Sequence, residues 1–216
     1  MKTTLNMRFF KIGVVLCTAV GLLLLAINFY FGRDEAFLMM NGDGGTLADY
    51  FFAFLTYFGD AFLWIPMLAY MIWKKKKLFL PLGVGSLLIV TLIVQGCKHY
   101  VVKHEPRPTK AIANGAYIHK VPGVEVHSVS SFPSGHTATA VVLFLMICLM
   151  TQKRWWIPVG FATAMLVGYS RIYLAQHFPL DVGAGILAGV IAISLSIPMQ
   201  QWADRRRLKV TDEIKV

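Results

Sequence analysis

Apolar residues along this chain collect into six runs, at roughly 12–31, 50–73, 78–99, 136–151, 155–175 and 180–198. A helix that crosses a bilayer needs about 20 mostly apolar residues, so the pattern predicts six transmembrane helices. The second run carries Gly59 and Asp60 in its first half, and the fourth is short if it starts at His136. Arg8 and Lys11 precede the first run, as basic residues precede a secretory signal. That run is longer than the roughly 7–15 apolar residues of a signal core, and no clear small-residue cleavage site follows it, so a retained anchor is expected.

The polar segments between the runs alternate in charge. With the N-terminus inside, the cytoplasmic side carries Lys2, Arg8, Lys11, Lys74 to Lys77, Lys153, Arg154, Arg205 to Arg207, Lys209 and Lys215, which is 14 of the 21 basic residues. The other side carries 7 basic residues and 8 of the 11 acidic ones. Positive charge next to a span resists translocation, so both termini are expected in the cytoplasm.

Composition agrees with this layout and removes other classes. The 216 residues are 56% hydrophobic and 15% charged, against about 25% charged in soluble domains, and the mean hydropathy is +0.60. A water-soluble monomer would have too little polar surface, and neither repeat, polarity nor heptads support a collagen-like, disordered or coiled-coil chain. The net charge of +10 belongs to cytoplasmic loops, and no nucleic acid partner is read from it. Cys17, Cys97 and Cys148 each sit in an apolar run without paired or metal-type spacing. The expectation is an all-α integral membrane protein of six helices in one bundle, a single domain over residues 1–216, with the lipid bilayer as its partner.

Between the third and fourth runs lies an outer-face loop, about residues 100–132, containing Lys103, Arg107, Lys110 and Lys120 with His104, His119 and His127. Long irregular loops in compact domains are functional or disordered. The three histidines read as solvated.

Three clusters flank that loop. Lys98, at the end of the third run, is followed by Glu105-Pro106-Arg107-Pro108, where prolines on both sides of the arginine stop a helix and fix the backbone direction. By itself this is equally a snorkelling lysine and a solvated turn. Pro133-Ser134-Gly135-His136 precedes an apolar run; serine before a helix is a start signal, and a helix N-terminus offers free N–H groups and partial positive charge to an anion. The plainer reading is an ordinary cap beside a histidine. Ser170-Arg171, His177 and Asp181 stand at the junction of the fifth and sixth runs. The histidine and aspartate are four apart, so a helical turn puts them on one face, as a buried polar pair or as a nucleophile with its orienting carboxylate. The predicted topology brings all three clusters to the outer face, where ionisable groups at membrane depth are functional by default. Three cations, a helix start suited to an anion, two histidines and an aspartate describe a phosphate site.

These residues resemble the phosphatidic acid phosphatase type 2 superfamily of membrane lipid phosphatases, which shares its site with vanadium haloperoxidases. Pro133 to His136 matches the family's second motif. Ser170 to Asp181 matches its third, Ser-Arg, five residues, His, three residues, Asp. The first motif, a lysine, six residues and Arg-Pro, has its arginine at Arg107, but Tyr100 occupies the lysine position; Lys98 lies two residues early, and Lys103 is the other candidate.

The resemblance implies hydrolysis of a membrane lipid phosphate or diphosphate through a phosphohistidine, without a cofactor or metal. Its residue roles are His177 as nucleophile, Asp181 as its orienting partner and His136 as general acid and base. Lys98, Arg107 and Arg171, with the Ser134 hydroxyl and the Gly135 amide, hold the phosphate. Phosphatidylglycerophosphate, phosphatidate, undecaprenyl diphosphate and a lipid A phosphate are the candidate substrates. The expected location is a bacterial inner membrane with the site facing outward. Three alternatives stand beside this: a lipid-to-lipid phosphotransferase using the same residues, a metal-dependent hydrolase with His136, His177 and Asp181 as ligands, and a non-enzymatic transporter.

Overall fold

The structure, a computed structural model, describes residues 4–73, 77–112 and 118–213. Lys2, Lys74 to Lys76 and Lys215 of the charge pattern lie outside those residues. The described residues form helices and no strand: α1 (Met7–Phe31), α2 (Arg33–Met40), α3 (Gly45–Leu55), α4 (Trp64–Trp73), α5 (Leu80–Gly96), α6 (Pro108–Ala111), α7 (Gly135–Met150), α8 (Trp156–Tyr173) and α9 (Pro179–Glu213).

Local chemistry accounts for the helix starts. The Phe9 amide donates to Asn6 Oδ1 at 3.2 Å ahead of α1, prolines stand in the first turns of α5 and α6, and Ser134 caps α7. Each satisfies or removes an N–H group that the first turn leaves unpaired. Helices Met7–Phe31, Lys77–Val101 and Pro179–Leu208 are long and apolar enough to cross a membrane.

The second predicted span differs from a simple rod. Its two parts, Gly45–Gly59 and Ala61–Trp73, bend by 55° and together make a fourth candidate crossing. The break falls at Asp60, which is extended (φ −73°, ψ 145°) between two short 3₁₀ turns, Thr56–Gly59 and Ala61–Leu63. Its carboxylate accepts from the Phe62 amide at 3.2 Å; aspartate favours such caps over helix interiors because it competes for backbone N–H groups. Helix α9 also outruns its apolar segment, continuing past residue 198 to Glu213, because good helix formers such as Gln201, Arg205 and Arg206 follow.

Helix α7 occupies the centre, against α1, α5, α8 and α9, and most of its residues from Thr137 to Leu149 are buried. Helix α9 approaches it closely at Gly185, where a Cβ would lie 2.5 Å from the Ser134 carbonyl oxygen. Small residues at such crossings are how membrane helices gain packing without a hydrophobic drive between them. The outer surface is apolar instead: Leu22, Phe29, Ile65, Leu92 and Leu195 are exposed.

Hydrogen bonds fix which ends meet. Asn6 Nδ2 donates to the Thr151 carbonyl (3.0 Å) and the Asn6 amide to that of Leu149 (2.9 Å), joining the start of α1 to the end of α7. The Leu82 amide donates to Gln200 Oε1 (3.1 Å) and Arg207 Nη1 to the Leu78 carbonyl (3.1 Å), joining the end of α9 to the start of α5. Both ends of the described chain therefore lie at one pole. The end of α5, the start of α7, the end of α8 and the start of α9 lie at the other.

Candidate active site

At that second pole is a cavity of about 300 Å³ lined by Lys98, Arg107, Gly135, His136, Arg171 and His177, among others. Segments far apart in sequence thus deliver six of the eight expected site residues to one wall. The other two, Ser134 and Asp181, stand behind it, fully or almost fully buried.

Asp181 is held in place by two donors on Oδ2: the Ser131 hydroxyl and the Phe178 amide at 2.9 Å. The same oxygen lies 3.5 Å from His177 Nδ1, and Ser131 Oγ lies 3.4 Å from that nitrogen. With Nδ1 facing the carboxylate, Nε2 is the ring nitrogen left for the cavity. Burial, with Arg107, Arg171 and Lys98 nearby, holds the imidazole well below the usual histidine range, which favours its neutral form.

Ser134 acts as a cap. The Thr137 amide points to its Oγ at 3.5 Å, and that hydroxyl is 2.8 Å from Thr137 Oγ1. The Ser134 amide donates to the Asp181 carbonyl at 2.9 Å. Gly135 and His136, one residue on, line the cavity at the helix N-terminus.

The cations have separate supports. Arg107 Nε donates to the Val129 carbonyl (3.0 Å), and its Nη1 donates to Gln176 Oε1 (2.7 Å) and to the Gln176 carbonyl (3.0 Å). Gln176 Nε2 in turn donates to the Glu125 carbonyl at 2.8 Å. Arg171 Nη1 donates to Thr56 Oγ1 at 2.6 Å, while its buried Nε has no protein partner. A buried guanidinium N–H without an acceptor is costly, and a phosphate oxygen in the cavity would supply one.

Lys98 is in the cavity wall and Lys103 is exposed outside it. Lys98 sits in a π turn, Cys97–Val101, closed by the Val102 amide on the Cys97 carbonyl at 2.8 Å. A π turn holds one residue more than an α turn, which takes up part of the two-residue excess before Arg107.

The outer-loop histidines do not share one environment. His104 and His127 are both exposed, His127 at the edge of the cavity that it helps to line. His119 is half-buried, with Nε2 2.9 Å from Asp49 Oδ1 and its ring against Tyr173. Tyr173 also donates to Asp49, at 2.6 Å. The solvated reading fails for His119 because α3 supplies a carboxylate that the loop sequence does not reveal. Ser131, Gln176 and Thr56 were likewise not singled out from sequence; serine, glutamine and threonine carry no pattern until their distant partners are known.

The model of the PAP2 superfamily matches residues 78–205, the stretch that contains all the expected site residues. The chain belongs to the PAP2 superfamily. It is 26% identical over 175 residues to an undecaprenyl-diphosphatase of Sulfolobus acidocaldarius, covering 81% of this chain and 82% of that one. It is 29% identical over 165 residues to a lipid A 4'-phosphatase of Bacteroides thetaiotaomicron, covering 72% and 71%. The crystal structure of Aquifex aeolicus LpxE superposes with a TM-score of 0.67 at 29% identity, covering 77% of this chain and 94% of that one. As a PAP2 member with apolar membrane helices, the protein is a phosphoric ester hydrolase of the membrane.

Proposed function

We propose that this PAP2 protein hydrolyses a membrane lipid phosphate or diphosphate through a covalent phosphohistidine. The observation that carries the reading is the convergence of a buried, carboxylate-oriented His177 with three cations, one of which keeps a buried N–H without an acceptor.

The steps follow from the residues. His177 Nε2 forms a bond to phosphorus in line with the lipid oxygen, and the P–O bond to the lipid breaks. His136 gives its proton to the departing oxygen. Asp181 and Ser131 hold the ring's Nδ1–H and stabilise the positive charge that develops on it. Lys98, Arg107 and Arg171, with the amides at the start of α7, oppose charge on the equatorial oxygens. A water then attacks phosphorus, gives a proton to His136, and releases His177 and inorganic phosphate. The three fixed cations fill the role a metal ion has in other phosphoryl-transfer sites.

The placement proposed is six spans, both termini in the cytoplasm and the site at the outer face of a bacterial inner membrane. The charge split of the loops supports it, as does the meeting of both ends at the pole opposite the cavity. Relatives acting on undecaprenyl diphosphate and on lipid A support a phosphorylated membrane lipid as the substrate class.

The test is phosphate release by the purified protein from short-chain lipid phosphates. His177→Ala is expected to abolish it in a protein that remains folded, and His136→Ala to accumulate acid-labile phosphate on His177. Vanadate, which adopts five-coordinate geometry, is expected to inhibit, and chelators are not. Near wild-type hydrolysis by His177→Ala overturns the mechanism.

A further inference from the structure

The cavity continues past the cations, toward the pole that holds the chain ends. Thr91 and Gln95 line it from α5, below Lys98; steps of four and three residues keep these side chains on one side of a helix. At 1.5 Å of rise per residue, Thr91 stands about 10 Å deeper than Lys98. Thr139 lines the facing wall from α7, one turn below His136. Thr91 and Gln95 are exposed on the candidate membrane crossing Lys77–Val101, where Leu88 and Leu92 are exposed too. Hydrocarbon offers an amide or hydroxyl no hydrogen bond, and among the described residues none pairs with the Gln95 side chain.

The bent crossing adds a carboxylate to this lower part. Asp60 lines the cavity next to Gly59, which is pressed on α7 so that a Cβ there would lie 2.8 Å from His136 Cβ. Among the described residues it is the one carboxylate in the lining. The cavity therefore has two parts. The upper gathers Lys98, Arg107 and Arg171 around His177 and the start of α7. The lower offers neutral hydrogen-bonding groups and one carboxylate. In the proposed mechanism His136 gives its proton to the leaving oxygen, so the lipid lies on the His136 side of the reacting phosphorus. Its first atoms beyond that oxygen pass Asp60, Thr139, Gln95 and Thr91. In a diphosphate, the inner phosphate stands one bond beyond the leaving oxygen and brings negative charge toward Asp60, while the cations hold the outer phosphate. In a monophosphate of an acylated lipid, ester, amide or hydroxyl groups occupy that place and exchange hydrogen bonds with the lower wall.

Resting on the phosphatase reading, we propose that the preferred substrate is a lipid monophosphate with ester, amide or hydroxyl groups beside its phosphate. Thr91, Gln95 and Thr139 select for those groups, and Asp60 selects against a polyprenyl diphosphate. A glycerolipid and an acylated sugar phosphate share this chemistry, and the assay separates them.

The experiment measures initial rates of phosphate release by the full-length protein in detergent from four probes: dioctanoyl phosphatidate, an acylated glucosamine 1-phosphate, farnesyl phosphate and farnesyl diphosphate. For wild type, kcat/KM is expected to be about tenfold or more higher for one of the acylated probes than for farnesyl phosphate, and lowest for farnesyl diphosphate. The faster acylated probe identifies the lipid type. Gln95→Met and Thr139→Val, each close in volume to the residue replaced, are expected to lower the preference for that probe over farnesyl phosphate several-fold. Asp60→Asn keeps a capping side chain and is expected to raise the ratio of farnesyl diphosphate to farnesyl phosphate hydrolysis about tenfold, because a like charge has gone. Each ratio is read within one preparation, so a variant that folds only in part still reports. A wild-type preference for farnesyl diphosphate, or ratios unmoved in all three variants, overturns this proposal and leaves the phosphatase reading standing. Release of phosphate from none of the four probes overturns the phosphatase reading itself.

Discussion

Ser131 and Asp181 stand 50 residues apart in the chain, yet the serine hydroxyl donates directly to the aspartate oxygen that faces His177 Nδ1. Both side chains are buried, at 0% and 2% exposure. Ser131 is thus part of what orients His177, the nucleophile of the proposed mechanism. A hydrogen bond to a charged group contributes about 1.5–3 kcal/mol. Ser131→Ala is therefore expected to lower kcat roughly 10- to 100-fold with little change in KM. Steady-state kinetics beside a melting curve check this; an unchanged kcat in a folded variant would remove Ser131 from the mechanism.

The two candidate lysines separate cleanly by position. Lys98 is in the cavity wall, and Lys103 is exposed outside it, four residues before Arg107. Loss of a cation that acts on transition-state charge lowers turnover, whereas loss of a headgroup contact raises KM. Lys98→Ala is expected to reduce kcat about 100-fold or more, and Lys103→Ala less than about 10-fold. The reverse order would give the role to Lys103.

His177 also links folding to pH. Burial and the charges of Arg107, Arg171 and Lys98 hold its imidazole well below the usual histidine range, so the folded state takes up a proton there less readily than the unfolded chain does. The unfolded histidine takes a proton below about pH 6.5. Stability contributed by this site is thus full above that pH and falls as pH drops through it, by about 1.4 kcal/mol per pH unit. The apparent Tm is expected to fall between pH 7 and pH 5, and to fall less in His177→Asn. Equal slopes in the two proteins would show that other groups carry the acid sensitivity.

Orientation has its own test. A reporter active only in the cytoplasm, fused at the C-terminus, is expected to be active. A cysteine replacing exposed Lys103, in a Cys97→Ser background, is expected to react with a membrane-impermeant reagent in intact cells. Labelling only after permeabilisation would invert the chain and turn the site toward the cytoplasm.

How much of this was legible in the sequence follows from the range of each interaction. Each of the six apolar runs falls on helix, the second on two helices broken at Asp60, because a run of apolar residues is readable locally; three of these helices, and the bent pair as a fourth, are long and apolar enough to cross a membrane. The motif residues were legible because their spacing is local too. The break at Asp60 was foreshadowed by a glycine and a carboxylate inside an apolar run, but not the 55° bend or the close packing of Gly59 on His136, which depends on α7. Gln176 lies beside His177, but its hold on Arg107 spans 69 residues, and Arg171 meets Thr56 across 115. His119 failed as a solvated residue for the same reason, since its carboxylate partner is 70 residues away.

The hydrogen bond from the Ser134 amide to the Asp181 carbonyl (2.9 Å), with Gly185 beneath it, makes the separation of the two histidines a property of main chain and helix crossing. The outer loop meets that frame at two side chains, Ser131 on Asp181 and Arg107 on Gln176. Exchanging the whole loop for that of a relative is therefore expected to keep the chemistry in register only where a serine and an arginine stand at those two positions, which leaves the loop residues between them as the part free to diverge with the substrate.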